Sequence, residues 1–198
     1  GTNAYSVRMP LIYGDIQYDP QNLYLQEAPS GDFTLTVKVQ GGLSTNFESV
    51  GLVAYAGKDK MVMMARRFHS YLGNNIFCLA THESSFNEKS AQDTNSSADA
   101  YLRLERIGDT FYGSYSYDGV NYTAISESVT NANVTGAEGL KIGLIGLCGT
   151  NNPTSPKTIV MSDYTMNGER IPFCVEEDLT VFRVRKGETA QLVAGAVL

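Results

Sequence analysis

The sequence predicts an all-β protein, an antiparallel two-sheet β-sandwich of the jelly-roll kind. Three observations carry that expectation. Apolar residues recur at every second position through short runs, the period of a strand with one buried face, and helical periodicity is almost absent. Gly-, Asn- and Asp-containing turns separate the runs, most of them short enough for hairpins. The chain has 198 residues, 42% hydrophobic and only 18% charged, which suits one large β domain that needs no metal or disulfide to fold.

Residues 33–39 alternate without a break, with Phe33, Leu35, Val37 and Val39 on one face, and Gly41-Gly42 ends the run. Residues 50–56 are mostly apolar, as in a central strand covered on both faces. Gly57-Lys58-Asp59 turns the chain into 60–68, and Asn74-Asn75 turns it into 76–81. Residues 83–98 are polar and rich in Ser and Asn, and read as a long loop. Residues 101–106 alternate again, and Gly108-Asp109 leads into 110–116. There Phe111, Gly113 and Tyr115 point one way and Tyr112, Ser114 and Ser116 the other. Asp118-Gly119 supplies the positive φ of a tight hairpin, and 120–125 is the expected returning strand. Residues 140–147 and 158–166 complete ten or eleven strands.

The sandwich is expected to occupy residues 1–168. Residues 169–198 form a strand pair around a Lys186-Gly187-Glu188-Thr189 turn. That pair is either packed on the sandwich or the start of a following immunoglobulin-like domain. Packing is the better reading, because an orphaned apolar hairpin leaves a sticky edge.

The net charge is −6 and no basic cluster exceeds Arg66-Arg67, so the footprint a nucleic-acid binder needs is missing. No run of 18 apolar residues is present, so no membrane-spanning helix is expected. Gly1-Thr2-Asn3 reads as a start from which a leader has been removed. With the low charge and abundant Gly, Ser, Thr, Asn and Tyr, an extracellular or periplasmic setting is expected. Of the three cysteines, Cys78 and Cys148 lie in apolar runs and read as buried free thiols; Cys174 is the third.

Several pieces fall in a familiar order. Asn22-Leu23-Tyr24-Leu25-Gln26 is followed by Gly31-Asp32 and the 33–39 run, then Val50-Gly51-Leu52-Val53-Ala54-Tyr55. Next come Tyr101-Leu102-Arg103-Leu104-Glu105-Arg106, Tyr115-Ser116-Tyr117-Asp118-Gly119 and Leu140-Lys141-Ile142-Gly143-Leu144. This order, over about residues 20–166, resembles the concanavalin A-like β-sandwich domain at the C-terminal side of family 43 glycoside hydrolases, the β-xylosidase and arabinofuranosidase group. The resemblance implies a lectin/glucanase-type fold without the five-bladed catalytic propeller of those enzymes. It implies a non-catalytic carbohydrate-binding or accessory module of a secreted polysaccharide-degrading enzyme. Its partners would be an oligo- or polysaccharide and the parent's catalytic domain, with neither nucleic acid nor membrane. A structural domain packing on the catalytic domain is the second reading, and a glycoside hydrolase in its own right the third. One departure is the position after the Ser-x-Asp-Gly turn, usually Trp in the family and Tyr122 here, in a chain with no Trp at all.

Glycoside hydrolysis needs two carboxylates across a cleft. Glucanases of this fold carry them as Glu-x-Asp-x-x-Glu on one strand. Glu176-Glu177-Asp178 begins that pattern, but Val181 stands where the last Glu is required. His69 and His82 fall near turns and could meet across adjacent strands; no Gly-x-Ser-x-Gly elbow, P-loop or dinucleotide fingerprint is present. Sugar binding asks for aromatic faces and polar groups, and an exposed sheet face bearing Tyr55, Arg66, His69, Tyr112 and Tyr122 is the candidate platform. Packing is the ordinary alternative for each Tyr. No cofactor is expected beyond a structural calcium. Asp15, Asp19, Asp32 and Asp163 are strand-end carboxylates that would suit it, or that cap turns instead. Asn95, Asn121 and Asn133 open glycosylation patterns that are chance matches if the source is bacterial.

Overall fold

The computed structural model describes residues 6–10, 20, 22–72, 74–83, 85–148 and 158–171. Asp15, Asp19, Cys174 and residues 172–198 lie outside the described residues. The strands are β1 (Ser6–Pro10), β2 (Leu23–Glu27), β3 (Phe33–Val39), β4 (Glu48–Gly57), β5 (Lys60–His69), β6 (Asn74–Glu83) and β7 (Ser85–Gln92). They continue with β8 (Ala100–Ile107), β9 (Thr110–Ser116), β10 (Thr123–Ala124), β11 (Val129–Thr130), the one-turn helix α1 (Ala132–Thr135), β12 (Lys141–Cys148), β13 (Thr158–Met166) and β14 (Glu169–Arg170).

Two antiparallel sheets result. The six-stranded sheet runs β2-β12-β4-β5-β6-β7, and the eight-stranded sheet runs β1-β13-β3-β8-β9-β10, with β11 on β9 and β14 on β13. The predicted two-sheet architecture is therefore the one observed.

The alternation read from the sequence sets the core. Leu35, Val37, Leu102, Leu104 and Phe111 point inward from one sheet and meet Leu52, Val62, Met64, Phe77 and Leu144 from the other. Burying each such side chain contributes about 1.5–3 kcal/mol.

Two expectations fail locally. Residues 83–98 are no continuous loop: β7 pairs along β6 from Ile76↔Gln92 to Glu83↔Ser85. Among the described residues β7 is an edge strand of its sheet, and an edge strand tolerates the polar composition that suggested a loop. The strand expected at 120–125 shrinks to Thr123-Ala124, with Val120 78% exposed.

The Asp118-Gly119 turn holds as predicted, with Gly119 at φ 74. The Asp118 carboxylate accepts the N–H groups of Val120 and Asn121, both at 2.8 Å, and the Asn121 side chain at 2.7 Å. The Asn121 backbone N–H, then the Asn121 amide, hold its carboxyl far below the usual range. A depressed folded pKa stabilises above the unfolded value, near 3.9, and that support is lost as pH falls through the folded value. The wild-type melting temperature should therefore fall more steeply than that of Asp118→Asn between about pH 4 and pH 2. Equal slopes in thermal melts across that window would show that the charge contributes nothing to the turn.

Candidate functional site

The five residues expected to share one face are split between two sheets. Tyr55 sits on the outer side of the six-stranded sheet, against Val53, Met61 and Met63. His69 ends β5, its ring edge-on to Phe47 at 5.4 Å. His82 pairs with Met61 at the opposite end of the β5–β6 ladder from His69, which pairs with Asn74, so the two imidazoles do not meet. Tyr112 and Tyr122 belong to the eight-stranded sheet and its edge.

Arg66 is no surface residue. Its exposure is 0%, because its place in the alternation with Val62 and Met64 turns it toward the core. There its Nε donates to Asp93 Oδ2 at 2.6 Å, with both side chains wholly buried. Nη1 donates to the Ala98 carbonyl at 2.5 Å and Nη2 to that of Asn95 at 3.2 Å. Tyr117 donates its hydroxyl to Asp93 Oδ1, and the Asn95 N–H donates to the same oxygen at 3.1 Å. Burial first, and the Asp93 hydrogen bond second, push the Tyr117 phenol above its ordinary pKa. This network ties segment 93–98 to β5 and has nothing left to offer a ligand.

The coherent face lies outside the eight-stranded sheet. Register places Lys38 beside Tyr101, Thr36 beside Arg103, and Thr34 beside Glu105. On the next strand Arg103 pairs with Ser114 and Glu105 with Tyr112. Their inward neighbours Val37, Leu102 and Leu104 are wholly buried, so alternation turns this set outward. Tyr112 is 44% exposed. The Arg103 guanidinium stacks on the half-buried Tyr122 ring, 3.6 Å from its centroid. Burial raises the Tyr122 phenol above its ordinary pKa even though Arg103 pulls it down. Lys38 Nζ lies 5.9 Å from the Tyr101 ring and 3.2 Å from Asp99 Oδ2, and the Asp99 hydrogen bond raises its pKa. The Tyr101 ring rests against Gly119, where an added Cβ would meet ring carbons at 3.1–3.2 Å. A cavity of about 240 Å³, lined by Lys38, Gln40, Asp99, Val160 and Ser162, opens at one end of this face.

Chemically this is a polar sheet surface carrying three tyrosines, two cations and two carboxylates, Glu105 and Asp99. It offers rings for stacking and donors for hydroxyl groups. Lys38, Tyr101 and Arg103 were missed as site residues, although the outward positions of 34–38 and 101–105 were legible in the same alternation that located the core.

The carboxylates have other tasks. Asp32 accepts the Gly108 N–H at 2.8 Å, which is turn capping. Asp163 stands at a β-bulge with φ 52, its carboxylate 3.6 Å from Arg170. Asp32 and Asp163 thus do not converge, and among the described residues no group of three His, Cys, Asp or Glu side chains could hold a metal ion. Glu48 accepts from Ser44 and Thr45 N–H groups, Glu88 pairs with Arg67, and the Asn133 amide donates to Glu83.

The sequence matches no family model, and no curated protein is significantly similar to it. Its fold does have solved counterparts. A GH43 protein of Bacillus licheniformis superposes with a TM-score of 0.71 at 12% identity, over 83% of this chain and 33% of that one. A xylan β-1,4-xylosidase of Bacillus halodurans gives 0.66 at 14% identity, over 82% and 32%. A functionally unknown protein of Saccharomyces cerevisiae gives 0.66 at 11% identity, over 84% of this chain and 89% of that one. The chain thus spans about a third of the two hydrolase chains and most of the yeast protein. What these likenesses show is the fold: the chain is built on a β-sandwich of the kind found in family 43 glycoside hydrolases.

Proposed function

We propose that this chain is a non-catalytic, carbohydrate-binding module of a secreted polysaccharide-degrading glycoside hydrolase, and that it binds glycan on the outer face of the eight-stranded sheet. The observation that carries the reading is the Tyr101–Arg103–Tyr112–Tyr122 surface. Its rings lie on a polar, hydrogen-bonding sheet face, and Arg103 stacks on Tyr122 at 3.6 Å. Rigid aromatic side chains lose little entropy on binding, and the register of two paired strands holds these in place. The superposition on xylosidase chains supports plant polysaccharide as the ligand class.

Calorimetric titration with xylan, arabinan and β-glucan oligosaccharides tests the proposal. Tyr122→Ala removes a ring and frees the Arg103 guanidinium, and should weaken binding about tenfold, or ~1.4 kcal/mol. Tyr55→Ala, on the other sheet, should leave affinity within about twofold, or ~0.4 kcal/mol. No binding to any of the three glycans, or equal losses for both variants, would reject the assigned face.

A second reading has one observation in its favour. The chain covers 33% of a longer GH43 chain, so the same fold exists there as part of a larger molecule. On that reading the module packs on the parent's catalytic domain. Co-expression of the two pieces, with co-elution but no glycan affinity, would select it.

A further inference from the structure

The outer face of the eight-stranded sheet holds a guanidinium that has no counter-charge among the described residues. The other described arginines are matched within the protein. Arg66 faces Asp93 at 2.6 Å, Arg67 faces Glu88 at 2.7 Å and Arg170 faces Asp163 at 3.6 Å. Arg106 donates to the Gly108 carbonyl at 2.8 Å. Arg103 has neither a carboxylate nor a carbonyl. Its partner is Tyr122, whose ring centroid lies 3.6 Å away, and its Nε is buried with no acceptor. Glu105 stands two residues along the same strand and on the same face, yet makes no ion pair with it. The second cation of the face is matched, since Lys38 Nζ lies 3.2 Å from Asp99 Oδ2.

We propose that the glycan taken by this face bears carboxylate groups, and that Arg103 reads a uronic acid residue while the tyrosines stack on the neutral sugars beside it. The inference rests on the glycan-binding reading above and narrows the ligand class. Arg103 is held for the task. β8 lies between β3 and β9, so ladders on both sides fix its backbone. The Tyr122 ring covers one side of the guanidinium plane and leaves the donors at its edge. A planar fork of N–H groups matches a carboxylate, which accepts two of them in parallel and brings the opposite charge. A sugar hydroxyl offers one oxygen and no charge. Long-range attraction does not account for such a ligand, because the chain carries a net charge of −6, so the selection is local to Arg103. Glu105 works against the same ligand. It is a like charge about 7 Å along the strand, and its removal by Glu105→Gln should raise the preference for acid by about twofold.

Calorimetric titration of the full chain with two ligand pairs tests this. The first pair is a xylo-oligosaccharide with one glucuronic acid branch, beside the same molecule with its carboxyl reduced to the alcohol. The second is an oligogalacturonide beside its reduced form. In at least one pair the acid should bind about tenfold more tightly than the alcohol. Arg103→Gln should bring that ratio to within about twofold, and Glu105→Gln should raise it, both variants keeping the wild-type circular dichroism spectrum. Wild-type ratios within about twofold in both pairs would overturn the inference and leave glycan binding standing. If none of the four ligands binds, the glycan-binding reading falls with it. A tenfold ratio that survives Arg103→Gln also overturns the inference, because another group then reads the carboxylate.

Discussion

Arg66→Ala should destabilise the domain by about 3–5 kcal/mol, because it leaves the Asp93 carboxylate buried without its counter-charge. The pair is sealed on both sides, with each side chain 0% exposed and Nε 2.6 Å from Oδ2. Water cannot take over the lost donor. The Ala98 and Asn95 carbonyls also lose the guanidinium that ties them to β5. Urea unfolding of the two proteins at neutral pH measures the difference through the shift in midpoint at constant slope. A loss below about 1 kcal/mol would mean that Asp93 finds solvent or a proton, and that the network is not the anchor described. The double change Arg66→Met with Asp93→Leu separates charge from packing. It removes both charges, so it should recover the part of the loss that comes from the unpaired carboxylate, while the Tyr117 hydroxyl, the Asn95 N–H and the Ala98 and Asn95 carbonyls stay without these partners.

Phe77→Ala is expected to cost a similar amount, about 3–5 kcal/mol, by a different route. Its ring is wholly buried between the sheets, stacked on Tyr115 at 3.9 Å and 11° and edge-on to Tyr117 at 6.0 Å. Removing it leaves a cavity bounded by two strands of one sheet and the end of another, which cannot collapse without breaking ladder hydrogen bonds. The Arg66 guanidinium lies 5.6 Å from the same ring. The two substitutions therefore share a neighbourhood, and their effects should not add: a coupling of about 0.5–3 kcal/mol is expected in the double-mutant cycle. Additivity within about 0.5 kcal/mol would separate the aromatic stack from the ion pair.

The same neighbourhood explains why Arg66 was misread as a surface residue. Alternation through 60–68 is blurred, since Met61, Val62, Met63, Met64 and Ala65 are apolar at every position. Such a run belongs to a strand covered on both sides, so an Arg beyond it looks like the return to solvent. What buries it is Asp93, 27 residues away and placed by the β6–β7 hairpin. That hairpin was itself hidden, because β7 is written in Ser, Asn, Glu, Lys and Gln. An edge strand needs only its backbone to pair on one side, and backbone hydrogen bonds leave little trace in side-chain chemistry.

The candidate face shows the opposite balance. The polar halves of 33–39 and 101–106 are as regular as the apolar halves, so Lys38, Tyr101 and Arg103 could be named as outward-facing from sequence. That Tyr122 would fold over Arg103 could not, because it follows a turn and pairs with no strand.

The β class, the two-sheet core, the inward residues of β3 and β8 and the Asp118-Gly119 turn were all legible in the order of residues. Each depends on local chemistry: a two-residue period, a positive φ, a carboxylate beside free N–H groups. It took the folded chain to place Tyr55 and His69 on a different sheet from Tyr112 and the Tyr122 edge, to bury Arg66, and to make a strand of β7. The physical reason is that a period of two says which side chains share a face and nothing about what that face meets. Strand order and cover are set by partners far away in the chain, and burial follows from them.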